Sequence, residues 1–91
     1  MSETVRRRVV VHGRVQGVFF RDSVRGRAES AGVAGWVSNR SDGAVEAVFE
    51  GEPEAVERLV RFAREGPRSA DVQEADVYEE EPEGLSGFEV R

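Results

Sequence analysis

The alternation of apolar and polar residues predicts a strand and then a helix in the first third of the chain. Residues 5–13 are rich in β-branched side chains, a composition typical of a strand. Within residues 21–31, Val24, Ala28 and Ala31 recur at the spacing of one helix face. Gly32 follows directly, which suits the position after a helix C-terminus.

The middle of the chain predicts two strands joined by a turn. Residues 33–39 form the first, and residues 41–43 (Ser-Asp-Gly) have turn chemistry. Residues 44–50 then alternate, with apolar Val45, Ala47 and Phe49 opposed to Glu46 and Glu50. This pattern predicts a strand with one buried and one solvated face.

The last part of the chain predicts a second helix and two more strands. Pro53 stands near the helix start, Gly66-Pro67 end it, and the apolar stripe is Val56, Leu59, Val60 and Ala63. Residues 71–79 and 87–91 predict strands. The order β-α-β-β-α-β, with one short extra strand, predicts an α+β, ferredoxin-like fold: a four- to five-stranded, mostly antiparallel sheet with two helices on one face. Its length suits a single domain over residues 1–91.

Composition narrows the possible chemistry. The chain has 91 residues, no cysteine and one histidine, which excludes disulfides and thiol nucleophiles and disfavours a zinc site. A net charge of −5 argues against nucleic acid as a partner. There is no 18-residue apolar run, so no membrane span is predicted, and a cytoplasmic monomer is expected.

Two charged runs are expected to lie in solvent. One is Arg6-Arg7-Arg8 at the start of the first strand, and the other is the acidic run Glu79–Glu81 with Glu83. Arginines near the two glycine-bearing segments instead indicate a basic patch that could attract a small anion. These arginines are Arg14, Arg21, Arg25, Arg27 and Arg40.

Residues 13–21 carry the strongest functional signal. The segment Gly-Arg-Val-Gln-Gly-Val-Phe-Phe-Arg joins a strand to a helix N-terminus, where backbone N–H groups and the helix dipole favour an anion. Arg21 can add a planar fork of donors for phosphate oxygens. No activated nucleophile with an adjacent base accompanies this segment, so its chemistry suits hydrolysis of a substrate that is already activated.

Two blocks of this sequence closely resemble the signatures of the acylphosphatase family. The first block is filled by Gly13, Val15, Gln16, Gly17, Val18, Phe20 and Arg21. The second consists of Gly35, Trp36, Asn39, Gly43, Val45 and Gly51. Ser38 departs from the family, which usually has a longer residue there. The resemblance covers essentially the whole chain, and independently implies the ferredoxin-like fold.

The resemblance also implies an activity and roles for residues. An acylphosphatase hydrolyses small acyl phosphates without a metal or another cofactor. Asn39 is implied to lie beside the loop and to orient the attacking water, while Arg21 binds the phosphate together with the backbone N–H groups of Val15, Gln16, Gly17, Val18, Phe19 and Phe20. The side chains of Val15, Val18, Phe19 and Phe20 are expected to anchor the loop, whereas the role of the Gln16 amide stays open.

Two other functions compete with this hypothesis. A non-enzymatic phosphate-binding module could use the same loop without hydrolysis. RNA-recognition motifs share the order of elements, but they carry aromatic residues on the central strands. The first strand here carries valines instead, so RNA binding is disfavoured.

Overall fold

The computed structural model describes residues 3–91 and contains two helices packed on one face of a five-stranded sheet. This confirms the predicted ferredoxin-like fold. The elements in chain order are β1 (Val5–Arg14), α1 (Phe20–Ala31), β2 (Ala34–Asn39), β3 (Val45–Gly51), α2 (Pro53–Glu65), β4 (Asp71–Glu80) and β5 (Phe88–Val90).

The strand order across the sheet is β4-β1-β3-β2-β5. All neighbouring strands are antiparallel except β2 and β5, which are parallel. Each β-α-β crossover therefore skips one strand, and β1 lies in the interior of the sheet between β3 and β4. This arrangement brings the end of β1 and the end of β2 to the same edge of the molecule, on opposite sides of β3.

The helices begin and end where the sequence predicts. After α1, Gly32 has φ 69°, and the N–H groups of Gly32 and Val33 donate to the carbonyls of Glu29 and Ala28. This pairing satisfies two carbonyls that the helix itself leaves free. Helix α2 has Pro53 in its first turn, where the missing N–H costs no hydrogen bond, and it is followed by Gly66.

The core lies between the two helices and the sheet face beneath them. Phe49 of β3 is fully buried and stacks on Phe88 of β5, with ring centroids 6.0 Å apart. Around this pair, the larger buried residues of the strands and helices include Val9, Val11, Phe20, Val24, Val37, Val45, Val56, Leu59 and Val60. No helix among residues 3–91 is long and apolar enough to cross a membrane.

On the sheet face opposite the helices, the solvent exposure of Glu50 and Arg6 differs from the prediction. Both side chains are almost completely buried, and the Arg6 guanidinium donates to the Glu50 carboxylate at 2.8 Å. The backbone N–H groups of Glu83, Gly84 and Leu85 also donate to Glu50. The segment after β4 therefore covers a position that strand alternation alone assigned to solvent.

The acidic run also departs from the solvated state that was expected. Glu80 accepts hydrogen bonds from Arg8 and Arg6 at 2.8 and 2.9 Å, whereas Glu79 and Glu81 are exposed. These two arginines hold the pKa of Glu80 below its usual value. Burial by itself would raise the pKa of Glu50, but the hydrogen bonds it accepts outweigh burial and lower that pKa.

Candidate active site

The loop between β1 and α1 has a backbone suited to binding an anion. Gly17 has φ 72°, and Phe19 has φ 62°, the one positive φ outside glycine among residues 3–91. When two residues with left-handed backbone conformation are one residue apart, the loop can direct successive backbone N–H groups toward one side. A left-handed phenylalanine is strained, and such strain is concentrated at functional sites.

The donors of this loop are free. None of the backbone N–H groups from Gln16 to Phe20 donates a hydrogen bond to a described residue, and no side chain caps α1. The positive end of the α1 dipole lies at the same place. A concentration of unpaired donors at a helix N-terminus favours a bound phosphate.

A cleft of about 270 Å³ opens over this loop. Its lining residues are Val15, Gly17, Phe19, Phe20, Arg21, Asp22 and Asn39. The structure therefore brings Asn39, at the end of β2, beside the loop that follows β1. Of the predicted site residues, only Gln16 and Val18 do not line the cleft.

Gln16 joins the two halves of the site. Its side-chain amide nitrogen donates to the carbonyl oxygens of Arg40 and Ala44, at 2.8 and 2.9 Å. These carbonyls flank the turn between β2 and β3, directly after Asn39. The Gln16 side chain thus points away from the cleft and fixes the loop to the turn, while its backbone N–H stays in the loop.

The guanidinium of Arg21 is held by the main chain of Arg91. Its guanidinium donates to the main-chain oxygen of Arg91 at 3.0 Å, and the Arg91 side chain lies 4.6 Å from the centroid of the Trp36 ring. One donor of Arg21 is therefore used for orientation. Sequence reasoning missed both Arg91 and Asp22 as neighbours of the site, since neither belongs to a motif.

Asn39 presents a polar group without a protein partner. Its amide oxygen is buried and accepts no hydrogen bond from any described residue. Leaving such a group unpaired costs about 1–3 kcal/mol. A folded protein retains that cost most readily at a position where the amide serves a ligand or a bound water.

The predicted anchoring of the loop holds for two residues and is wrong for a third. Val15 and Phe20 are buried in the core, but the Phe19 side chain is 76% exposed. The left-handed backbone of Phe19 directs its ring outward. Val18 is half-buried, and its carbonyl accepts a hydrogen bond from the Ser69 hydroxyl, a second support that no sequence motif indicated.

The surrounding charges are more balanced than the sequence suggested. Arg25 lies 3.8 Å from Asp22, and Arg40 lies 3.2 Å from Asp42. The pKa of Asp42 is lowered first by the Ala44 N–H and then by Arg40. Among the described residues, no three histidine, aspartate or glutamate side chains are grouped as metal ligands.

Comparison with known proteins identifies the relatives of this chain. The sequence model of the acylphosphatase family matches residues 7–90. An acylphosphatase of Rubrobacter xylanophilus is 63% identical over 98% of this chain and 82% of its own length. One from Gloeobacter violaceus is 54% identical over 99% of this chain and 97% of its own length.

Solved structures agree with the sequence relatives. An acylphosphatase from Coxiella burnetii superposes with a TM-score of 0.91 at 43% identity, over 97% of this chain and 93% of the other. The strained loop, the free donors and the neighbouring amide thus lie on a scaffold shared with these enzymes, and the chain belongs to the acylphosphatase family of enzymes.

Proposed function

We propose that this chain hydrolyses small acyl phosphates in the cleft between the residue 15–20 loop and Asn39. The observation that carries the proposal is the set of unpaired N–H groups from Gln16 to Phe20, on a loop whose residues Gly17, Phe19 and Phe20 line the same cleft as Arg21 and Asn39. The family membership supports an enzyme over a non-enzymatic phosphate-binding module.

The loop and Arg21 bind the phosphoryl group in this proposal. Backbone N–H groups do not titrate, so they hold phosphate oxygens at any working pH. The Arg21 guanidinium, oriented by the main-chain oxygen of Arg91, adds charge where negative charge develops. Donors that are already in place cost no reorganisation when the substrate reacts.

Asn39 then orients the attacking water. The water oxygen forms a bond to phosphorus as the bond from phosphorus to the acyl oxygen breaks, and the electron pair of that bond leaves with the carboxylate. A water proton passes to a phosphate oxygen, so no protein base is required. The carboxylate is a good leaving group, and positioning supplies most of the remaining rate enhancement.

Substitution separates these two roles. We expect Arg21→Gln to reduce kcat/KM for benzoyl phosphate by about 10²–10³, and to weaken inhibition by inorganic phosphate as well. Asn39→Ala should reduce kcat by a similar factor while the inhibition constant for phosphate changes little. The assay is benzoyl phosphate hydrolysis with EDTA present, followed at constant pH.

The matched control is Arg25→Gln, which removes an exposed arginine one turn further along α1. It should change kcat/KM by no more than about threefold, because a solvated charge acts only through a screened field. Full turnover of both Arg21→Gln and Asn39→Ala would disprove the assigned roles. Phosphate binding by a folded wild-type chain without turnover would instead support the non-enzymatic module.

A further inference from the structure

A second concentration of positive charge lies outside the catalytic cleft. Four arginines line one groove of about 520 Å³ at the C-terminal half of α2: Arg27, Arg58, Arg61 and Arg68. The other residues along this groove are Phe62, Glu65, Gly66 and Pro67. None of these residues lines the cleft over the loop, so the two sites are distinct.

The charges in this groove lack protein partners. Within residues 3–91, none of the four guanidinium groups lies within 4.0 Å of a carboxylate, whereas five of the nine other arginines of this acidic chain do: Arg6, Arg8, Arg25, Arg40 and Arg91. The contrast is informative because acids outnumber bases 18 to 13. Partners are available in the sequence, yet the fold leaves these arginines without them.

Helix spacing sharpens the contrast. Glu54 and Glu57 stand four residues before Arg58 and Arg61, the orientation that favours ion pairs along a helix. Neither pair closes to 4.0 Å, and both arginines line the groove together with Arg68. Four arginines outnumber the one carboxylate of the groove, Glu65, so the groove carries net positive charge. A bound anion would relieve the repulsion among these arginines.

Phe62 shapes the groove and indicates what it can bind. The Arg27 guanidinium lies over the Phe62 ring, 4.3 Å from the centroid, which fixes this arginine in place. The same contact covers one face of the ring, and Phe62 also packs against the core, so a nucleobase would have to displace Arg27 to stack there. Recognition therefore depends on charge and on guanidinium forks, which match phosphate oxygens.

We propose that this arginine groove binds a small oligophosphate anion. One orthophosphate can satisfy at most about two guanidinium forks. A chain of two or three linked phosphates matches both the four arginines and the size of the groove. This site is independent of the proposed catalytic function, since none of its lining residues touches the cleft.

The test is a titration of the full chain with sodium tripolyphosphate, followed by NMR signals of backbone amides and arginine side chains. It is performed in the Arg21→Gln variant, so that the catalytic cleft is weakened as a competing site. We expect shifts at Arg27, Arg58, Arg61 and Arg68, and binding at least about tenfold tighter than for orthophosphate. ATP should bind within about threefold of tripolyphosphate, because only its phosphates are recognised.

Two double variants of equal net charge distinguish binding in the arginine groove from non-specific attraction to positive charge. Arg58→Gln/Arg61→Gln removes two groove arginines and should weaken tripolyphosphate binding by about tenfold or more. Arg25→Gln/Arg64→Gln removes two exposed arginines that lie outside the groove and should weaken it by less than about twofold. Circular dichroism confirms that both variants are folded.

Several results would overturn the proposal. Equal weakening in the two double variants would indicate non-specific attraction, and shifts confined to residues 15–21 would assign the anion to the catalytic cleft. Binding of ATP more than about tenfold tighter than tripolyphosphate would indicate a nucleobase site instead. Displacement of tripolyphosphate by a single-stranded oligonucleotide at 150 mM salt would identify a nucleic-acid surface.

Discussion

At the scale of single residues, Gln16 is the side chain whose role the sequence left open and the structure defines. Its amide holds the residue 15–20 loop to the turn that follows Asn39. These two hydrogen bonds join Gln16 to residues that lie 24 and 28 positions later in the sequence. A pattern of residue spacing within one helix or strand could therefore not predict them.

We expect Gln16→Ala to lower kcat by about tenfold, because small displacements of catalytic groups are costly. The inhibition constant for phosphate should change by less than about threefold, since the backbone N–H groups of the loop remain. Steady-state kinetics with benzoyl phosphate and phosphate measure both values. Ser41→Ala is the control, as Ser41 is exposed in the same turn. An unchanged kcat in Gln16→Ala would mean that the amide does not position the site.

Other residues show where sequence reasoning reached its limit. The motif named Phe19 within the loop, but only the left-handed backbone reveals that its ring faces solvent. The proximity of Asn39 to the loop was implied by the family resemblance and could not be obtained from topology alone. The main-chain oxygen of Arg91 accepts from Arg21, and the Ser69 hydroxyl donates to the main-chain oxygen of Val18. Main-chain acceptors leave no trace in a pattern of side chains.

At the scale of elements, strand periodicity predicted the sheet well, but the expected solvent exposure was wrong at two facing positions, Glu50 and Arg6. Alternation along β3 assigned Glu50 to solvent, and the residues of β1 opposite it were expected to be hydrated arginines. Both expectations fail because the segment after β4, which has no periodic signal of its own, folds over this part of the sheet.

The ion pair between Arg6 and Glu50 can be used to test the contribution of the segment after β4. Glu50→Gln should lower the free energy of unfolding by about 1–3 kcal/mol, because the buried Arg6 loses its most buried carboxylate partner and keeps only the more exposed Glu80 and Glu83. Glu46→Gln is the matched control on the same strand and face. Its carboxylate is more exposed, and its loss should cost less than about 1 kcal/mol. Urea denaturation measures both.

The double variant Arg6→Met/Glu50→Leu extends the test. An isolated buried ion pair can often be replaced by apolar residues without loss. Here Glu50 also accepts three backbone N–H groups, so we expect the double variant to remain destabilised by about 1–3 kcal/mol. Wild-type stability in the double variant would show that those three bonds contribute little.

At the scale of the whole molecule, the carboxylates of Glu50 and Glu80 make the free energy of unfolding depend on pH. The pKa values of Glu50 and Glu80 are lowered in the folded chain, so the folded state binds fewer protons than the unfolded state in acid. Their contribution is complete above the unfolded value of about 4.3 and is lost as pH falls through the folded pKa values.

We therefore expect the free energy of unfolding to fall steadily as pH decreases below about 4.5. Urea denaturation at several pH values between 6 and about 2.5 measures this decline. In Glu80→Gln the decline should be smaller, because one of the carboxylates whose pKa is lowered in the folded state is absent. A stability that stays level down to the lowest pH would contradict the assignment.

The position of β1 between β3 and β4 has a consequence for how the chain reaches its fold. β1 is synthesised first, yet its partners include Glu50 and Glu80, more than 40 and 70 residues later. Such distant pairing slows folding, since long loops must close before contacts form. During synthesis, the apolar run Val9-Val10-Val11 therefore remains unpaired on both strand edges until β3 and β4 are available. Unpaired apolar strands of this kind favour aggregation.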